Sequence, residues 1–307
     1  MKHLFIVNPT AGGKDKSITV QRAVRAAFQD RDEDYEVYVT RAPMDAAEKI
    51  RQAAAEADHL RVYACGGDGT FNECVCGAAL LDHVAVAPFP TGTGNDFCRM
   101  FGEEKELFRD LPALLDGTEH PIDLIDCNGR YSANICSVGI DARIGTEVHK
   151  YSGLPLIRGA GAYVVSAVVN IFKGVNRNML VRTGSYSAEG PHALVCACNG
   201  RYYGGGFHPS PGARPDDGVL DFYIVPGVSL LSLARYIGPY AAGKADSCPK
   251  VIRHLQGESL HIEFEEENVV NIDGEALRAK CVDLRLVPHA MRLIVPAGMR
   301  FFEDKNL

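Results

Sequence analysis

Over the first third of the chain, short wholly apolar runs alternate with amphipathic stretches. Leu4-Phe5-Ile6-Val7, Arg61-Val62-Tyr63-Ala64-Cys65 and Val84-Ala85-Val86-Ala87 have the length and continuity of strands buried on both faces. Tyr35 to Thr40 alternates and reads as a further strand. Between them, residues 17–29 place Val20, Val24, Ala27 and Phe28 on one helical face. Asp45 and Glu48 have capping-box spacing and open an Ala-rich helix to about Ala57. Residues 71–81 and a stretch after Asp96 read as two more helices. This β-α-β-α-β-α-β series implies a doubly wound parallel sheet.

From about Pro121 the pattern changes. Ile122–Ile125 and Tyr131–Val138 read as strands around the turn Asn128-Gly129, and a helix is expected over 141–150. A glycine-rich loop, 153–161, leads into an apolar stretch, 162–172. Short strands follow at 179–183, 193–199, 219–225, 260–264, 269–272 and 282–287, which suggests a β-sandwich. Residues 229–240 interrupt them as a helix with Leu230, Leu233, Ala234 and Ile237 on its apolar face. The expected division is 1–122 with about 291–307 as an α/β domain, and 123–290 as a β-sandwich domain.

Composition narrows the class. The 307 residues are 46% hydrophobic and 23% charged, an ordinary globular balance with room for a substantial core. A net charge of −7 argues against general nucleic-acid binding. The opening residues lack the apolar stretch of a signal peptide, and no apolar run reaches the ~18–20 residues that span a bilayer. A cytoplasmic location with at most peripheral membrane contact is expected. The ten cysteines include two C-x-C pairs and no C-x-x-C knuckle, so they read as small buried side chains in a reducing compartment. The ten histidines show no metal-ligand spacing. Oligomeric state is open, a homodimer included.

The chemistry concentrates in the turns after the strands. Asn8-Pro9-Thr10-Ala11-Gly12, Gly66-Gly67-Asp68-Gly69-Thr70 and Thr91-Gly92-Thr93-Gly94-Asn95-Asp96 would lie on one sheet edge, where such sheets bind ligands. Glycines allow close backbone approach, and a helix start offers N–H groups to phosphate. Neither a dinucleotide fingerprint nor a Walker motif is present. Asp68 would repel a bare anion, so it either accepts hydrogen bonds within the loops or helps manage a cation such as Mg²⁺. In the second domain, Pro215-Asp216-Asp217-Gly218 is a good β-turn and equally a carboxylate pair for a cation. Asp273-Gly274-Glu275 is a hairpin signal and also places two carboxylates beside a turn.

Those three loops, in that order and spacing over nearly the whole chain, resemble the soluble diacylglycerol and lipid kinase family, related to sphingosine and ceramide kinases. The resemblance implies an N-terminal fold like that of NAD kinase and diacylglycerol kinase, a C-terminal β-sandwich, and a final segment (Arg292–Val295, Phe301, Phe302) returning to the first domain. It implies ATP held by Asn8, Pro9, Thr10, Ala11, Gly12, Thr40, Gly66, Gly67, Asp68, Gly69, Thr70, Asn72, Thr93 and Asn95. Asp68 and Asp96 would organise the loops and catalytic Mg²⁺. A structural Mg²⁺ would be held by Asp217 and the carbonyls of Arg214 and Val219. Glu275, with Asp273 beside it, would accept the proton of a lipid hydroxyl lying between the domains, diacylglycerol foremost. The sequence does not decide between the two carboxylates. Two other readings stand beside this one: a kinase of NAD or another soluble alcohol, and a non-catalytic nucleotide- or lipid-binding regulator. The basic stretch of Arg143, Lys150, Arg158, Lys173, Arg177 and Arg182 either faces anionic lipid or is a solvated surface.

Overall fold

The apolar run at the start of the chain becomes β1 (Lys2–Val7), buried from His3 onward. It lies between β2 (Asp34–Val39) and β3 (Leu60–Gly66), all parallel, with Phe5 opposite Val37 on one edge and Tyr63 on the other. The computed structural model describes residues 1–13, 15–92, 94–147, 166, 169–171 and 173–303. Two units divide the chain: 1–124 with 287–307, and 125–286.

In the first unit, β4 (Val84–Pro90) adds beside β3, and the end of β13 (Glu275–Val295) runs parallel to β4, with Leu293 opposite Val86. The order is therefore β2-β1-β3-β4-β13. The chain winds one way from β1 to β2 and the other way to β3, so the strand order reverses between β1 and β3. In open α/β sheets ligands bind at such a reversal, outside the carboxyl ends of the strands. Phe5 stacks on Tyr63 at 4.4 Å, and buried His3 stacks on the same ring. Burial, opposed by the attraction of Glu33, brings the His3 pKa down to about 4. Helices α1 (Ser17–Ala27), α2 (Asp45–Ala55) and α3 (Asp68–Ala78) cover the sheet. A side chain at Gly77 would meet the Ala47 backbone at 2.9 Å, so α3 and α2 touch backbone to backbone.

Beyond Asp96 the expected helix is short. It is a single turn, α4 (Asp96–Arg99), followed by 3₁₀ turns over Gly102–Arg109 and by α5 (Leu111–Leu115). Phe97, Phe101 and Phe108 pack there in sequence with Phe301 against Phe101, and these aromatic contacts hold the segment where a regular helix is lacking. The capping box at Asp45 does not form. Met44 is the cap residue, in left-handed backbone, and the Asp45 carboxylate instead accepts from Tyr38 Oη and the Arg41 N–H. The Ala46 N–H at the helix start goes to Glu73 of α3, so a neighbouring helix supplies the cap.

The second unit is a sandwich of antiparallel strands. β5 (Thr118–Cys127) brings the chain in, and β13 takes it back to the first unit. β6 (Arg130–Ser132) follows the Asn128-Gly129 turn, both of whose residues have positive φ. β7 (Ile135–Gly139) and β8 (Arg177–Thr183) each pair with both β9 (Tyr186–Cys198) and β12 (Ser259–Ile272), closing a ring around Cys136, Val138, Val181, Val195, Ile262 and Ile272. β10 (Leu220–Pro226) extends β9, and β11 (Arg253–Gly257), which the pattern did not signal, extends β10. The strands expected at 260–264 and 269–272 are one strand with a bulge between Glu263 and Asn268. β12 and β13 form a hairpin closed at Ile272–Glu275 by Asp273 and Gly274 at φ 50° and 98°.

Helices also belong to this unit. α6 covers Ile140–Glu147, and residues 148–150 of its expected span lie outside the described residues, as does most of the apolar 153–172 stretch. α7 (Leu230–Ala241) is capped by Ser229 Oγ, which accepts the Ser232 N–H at 3.2 Å. Its apolar face is not a core face. Leu230, Leu231 and Ile237 are exposed, Leu231 at 82%, while Leu233 and Tyr240 pack inward. No helix among the described residues is long and apolar enough to cross a membrane.

Candidate active site

Three loops meet at the carboxyl ends of β1, β3 and β4. Asn8 joins the first to the second. Its Oδ1 accepts from Thr10 N–H at 3.0 Å and Thr10 Oγ1 at 2.8 Å, and its Nδ2 donates to Thr70 Oγ1 at 3.1 Å. The Gly66 carbonyl joins the second to the third by accepting from both Thr91 N–H and Gly92 N–H at 2.9 Å. Gly92 sits so close that a Cβ there would fall 2.8 Å from Gly67 Cα. Gly12, at φ 70°, supplies the left-handed turn of the first loop, and a Cβ on it would reach Thr91 O at 3.0 Å.

Asp68 is the first residue of α3, with Gly67 as the cap and no side chain capping it. The start of this three-turn helix leaves N–H groups without intrahelical partners at the positive dipole end, beside glycines that bare the backbone. The Asp68 carboxylate turns to the third loop and accepts the Asp96 N–H at 2.6 Å. Asp96 is buried and pairs with Arg99 at 3.0 Å. Asn95, in left-handed backbone, donates to the Gly92 carbonyl at 3.1 Å. Gly66, Gly67, Asp68 and Asn95 line a cavity of about 10 Å³, room for roughly one water. Asn72 is fully buried inside α3. Thr40, at the end of β2, donates its N–H to the Val7 carbonyl at 2.9 Å, which sets it beside the first loop. Pro9, Thr10 and Ala11 lie in that first loop, and Gly69 follows Asp68 in the first turn of α3. Thr93 lies outside the described residues. The sequence reading passed over Lys16, whose ammonium donates to Thr91 O at 2.5 Å and so ties the first loop to the third. Its place three residues after the Gly12-Gly13 turn was the available signal.

In the second unit the two acidic motifs are built differently. At the β-turn, Arg214 Nε donates to Asp216 Oδ1 at 3.1 Å. Asp217 is exposed, and its Oδ1 accepts the Val219 N–H at 3.1 Å, with Gly218 at φ 74° completing the turn. An exposed carboxylate is a hard oxygen donor of the kind Mg²⁺ takes, with waters retained.

At the hairpin, Asp273 accepts from Ser132 Oγ at 2.6 Å, Ile135 N–H at 2.8 Å and Ala133 N–H at 3.1 Å. These bonds break the expected 131–138 strand into β6 and β7, because Ala133 and Ile135 give their N–H groups to a side chain rather than to a ladder. Glu275, two residues on, is exposed.

Asp141, at the start of α6, has no sequence signal. Burial pushes its carboxyl up to about 6, against hydrogen bonds that include one from Tyr203 Oη at 3.1 Å. The described residues of the basic stretch do not form one face. Arg143 is buried and donates to the Gly139 and Gly174 carbonyls, and with Lys173 and Arg177 it lines a 300 Å³ cavity also lined by Glu147, Glu265, Glu266 and Glu267. Arg182 pairs with His261 across β8 and β12, and Lys150 and Arg158 lie outside the described residues.

A nucleotide-type α/β unit with three glycine loops on one edge, followed by an antiparallel sandwich, defines the diacylglycerol kinase class of fold. Residues 2–127 match the diacylglycerol kinase catalytic domain family, and residues 134–295 match the YegS C-terminal NAD kinase beta sandwich-like domain. A probable lipid kinase YegS-like protein of Pseudomonas aeruginosa PAO1 is 30% identical over 287 residues, 93% of each chain. Its namesake in Shewanella frigidimarina is 27% identical over 93% of this chain and 92% of its own. The crystal structure of a diacylglycerol kinase from Bacillus anthracis Sterne superposes with a TM-score of 0.70 at 26% identity, over 97% of this chain and 98% of the other. The chain belongs to the YegS-like lipid kinase family.

Proposed function

We propose that this lipid kinase transfers the γ-phosphoryl group of ATP to the hydroxyl of a membrane lipid, with diacylglycerol as the substrate and phosphatidic acid as the product. The observation that carries the reading is the mutual locking of three glycine loops at the switch point of the sheet. Asn8, the Gly66 carbonyl and Asp68 fix the loops before any ligand arrives. Phosphoryl transfer asks mainly for such positioning and for charge neutralisation.

The loop backbone and the start of α3 bind the triphosphate, and Thr40, Asn72, Thr93 and Asn95 complete the nucleotide site. Glu275 accepts the proton as the lipid oxygen bonds to the γ-phosphorus and the bond to ADP breaks. What supports Glu275 over Asp273 is hydrogen bonding. A carboxylate that already accepts three donors is held in its charged form and is a poor base, whereas Glu275 is exposed. Asp273 then positions the hairpin. Asp217 and the carbonyls of Arg214 and Val219 would hold Mg²⁺, which when bound supplies positive charge that orders the turn. Peripheral membrane contact is supported by the exposed Leu230, Leu231 and Ile237 of α7, an apolar face with Arg235 beside it.

The test is incubation of the protein with labelled ATP, Mg²⁺ and a panel of diacylglycerol, other hydroxyl lipids and NAD. Label in diacylglycerol is the expected result. Label in NAD alone would establish a soluble-alcohol kinase instead, and nucleotide binding without turnover of anything would establish a regulator.

A further inference from the structure

β12 and β13 carry a second group of polar side chains far along the hairpin from Asp273. His261 lies directly opposite Asp283, and Glu263 directly opposite Cys281, so the pleat puts all four on one sheet face. His261 is fully engaged by carboxylates, with Nδ1 2.7 Å from Asp283 Oδ1 and Nε2 2.8 Å from Glu263 Oε1. One ligand atom from each of His261, Cys281 and Asp283 lies within 4.8 Å of the others. Cys281 is exposed, whereas the other cysteines are buried or half-buried. The strand bearing Asp283 is pinned by Asn128, whose Oδ1 accepts the Asp283 N–H at 2.9 Å.

We propose that His261, Cys281 and Asp283 form a binding site for a zinc-type divalent cation. Imidazole, thiolate and carboxylate are the donor set of borderline-soft tetrahedral ions, and a thiolate disfavours Mg²⁺. The ion takes the place of the proton between His261 Nδ1 and Asp283. A proton leaves Nδ1 and another leaves Cys281 Sγ as the metal bonds form. Glu263 stays on Nε2–H and fixes the ring, the part a carboxylate plays behind a metal-bound histidine. Water completes the fourth position. Arg182, opposite His261 on β8, offsets part of the negative charge of the group. The site is independent of the kinase reading and would add a metal link between β12 and β13.

The full chain, reduced and stripped with chelator, is titrated with Co²⁺. The expected result is one equivalent bound with intense tetrahedral visible bands and a sulfur-to-cobalt charge-transfer band, both bleached by Zn²⁺ and untouched by excess Mg²⁺. Cys281→Ser should lose the charge-transfer band altogether. Glu263→Gln should keep the band and bind about 10–100-fold more weakly, the range for such orienting partners. A weak octahedral spectrum in the parent protein overturns the site, as does an unchanged band in Cys281→Ser. Asp283→Asn, which keeps the thiol but removes a carboxylate ligand, should bind Co²⁺ more weakly with the charge-transfer band retained; unchanged affinity there also overturns the site, and circular dichroism checks each fold.

Discussion

The carboxylate of Asp68 accepts the backbone N–H of Asp96 at 2.6 Å, tying the loop after β3 to the loop after β4. A charged hydrogen bond of this kind is worth about 1.5–3 kcal/mol. Asp68→Ala should free the third loop and weaken ATP binding about 10–100-fold. Calorimetric titration with a non-hydrolysable analogue reads it, and unchanged affinity would show that the loops hold without this bond.

Glu275 and Asp273 should separate cleanly. Glu275→Gln should lower turnover about 10²–10⁴-fold with nucleotide affinity intact, the range for loss of a general base. Asp273→Ala should lower stability instead, by about 1–3 kcal/mol for each buried donor that loses its acceptor. Kinase assays and urea denaturation on both variants check this. Normal activity in Glu275→Gln removes it as the base.

Gly92 has no room for a side chain, with Gly67 Cα 2.8 Å from a Cβ position. Gly92→Ala should push the second and third loops apart, at a stability cost of about 1–3 kcal/mol typical of overpacking. A parallel loss of nucleotide affinity is expected. A variant with unaltered melting temperature and affinity would mean that the loops slide apart freely.

The exposed leucines of α7 give a direct test of membrane contact. Replacing Leu230 and Leu231 together by serine should reduce cosedimentation with anionic vesicles and leave the molecular mass in solution unchanged. A dimer that becomes a monomer in this variant would assign the same face to a second copy of the chain.

Asp141 predicts a pH dependence. Its carboxyl sits at about 6 in the fold, above the 3.8 of an exposed aspartate, chiefly because of burial. Below the lower value both folded and unfolded chains are protonated there, and the group has no effect. Between the two values the fold binds the proton more tightly, so rising pH costs stability, and above about 6 the full cost is present. Asp141→Asn should therefore gain on the parent protein between about pH 4 and 6, by about 3 kcal/mol at most. Denaturation at both ends of that window reads the gain. A difference that does not vary with pH rules out the carboxyl as its source.

Much of the site was written in local chemistry. Gly66-Gly67-Asp68 marks a strand-to-helix turn because a side chain at Gly66 would collide with Thr70 four residues on, and such demands are met within a few residues. Asn128-Gly129 and Asp273-Gly274 signalled their hairpins because positive φ at successive positions selects those residue types. The Asp45–Glu48 spacing was misleading because Glu73, from another helix, reaches the Ala46 N–H. The exposure of α7's apolar face was not legible because helical periodicity shows that an apolar stripe exists and not what lies against it.

The sequence by itself determined the alternation of strands and helices, the three glycine loops and their order, and the acidic hairpin, since each follows from backbone preferences over short spans. Tertiary structure decided which strands are neighbours. The reversal between β1 and β3, the spending of Asp273 on Ser132, Ala133 and Ile135, and the meeting of His261 with Asp283 all depend on pairings between distant segments. A shift of one residue in register would turn His261 or Asp283 to the other face. That register is set by burial of the whole sandwich core, which no local stretch of the chain contains.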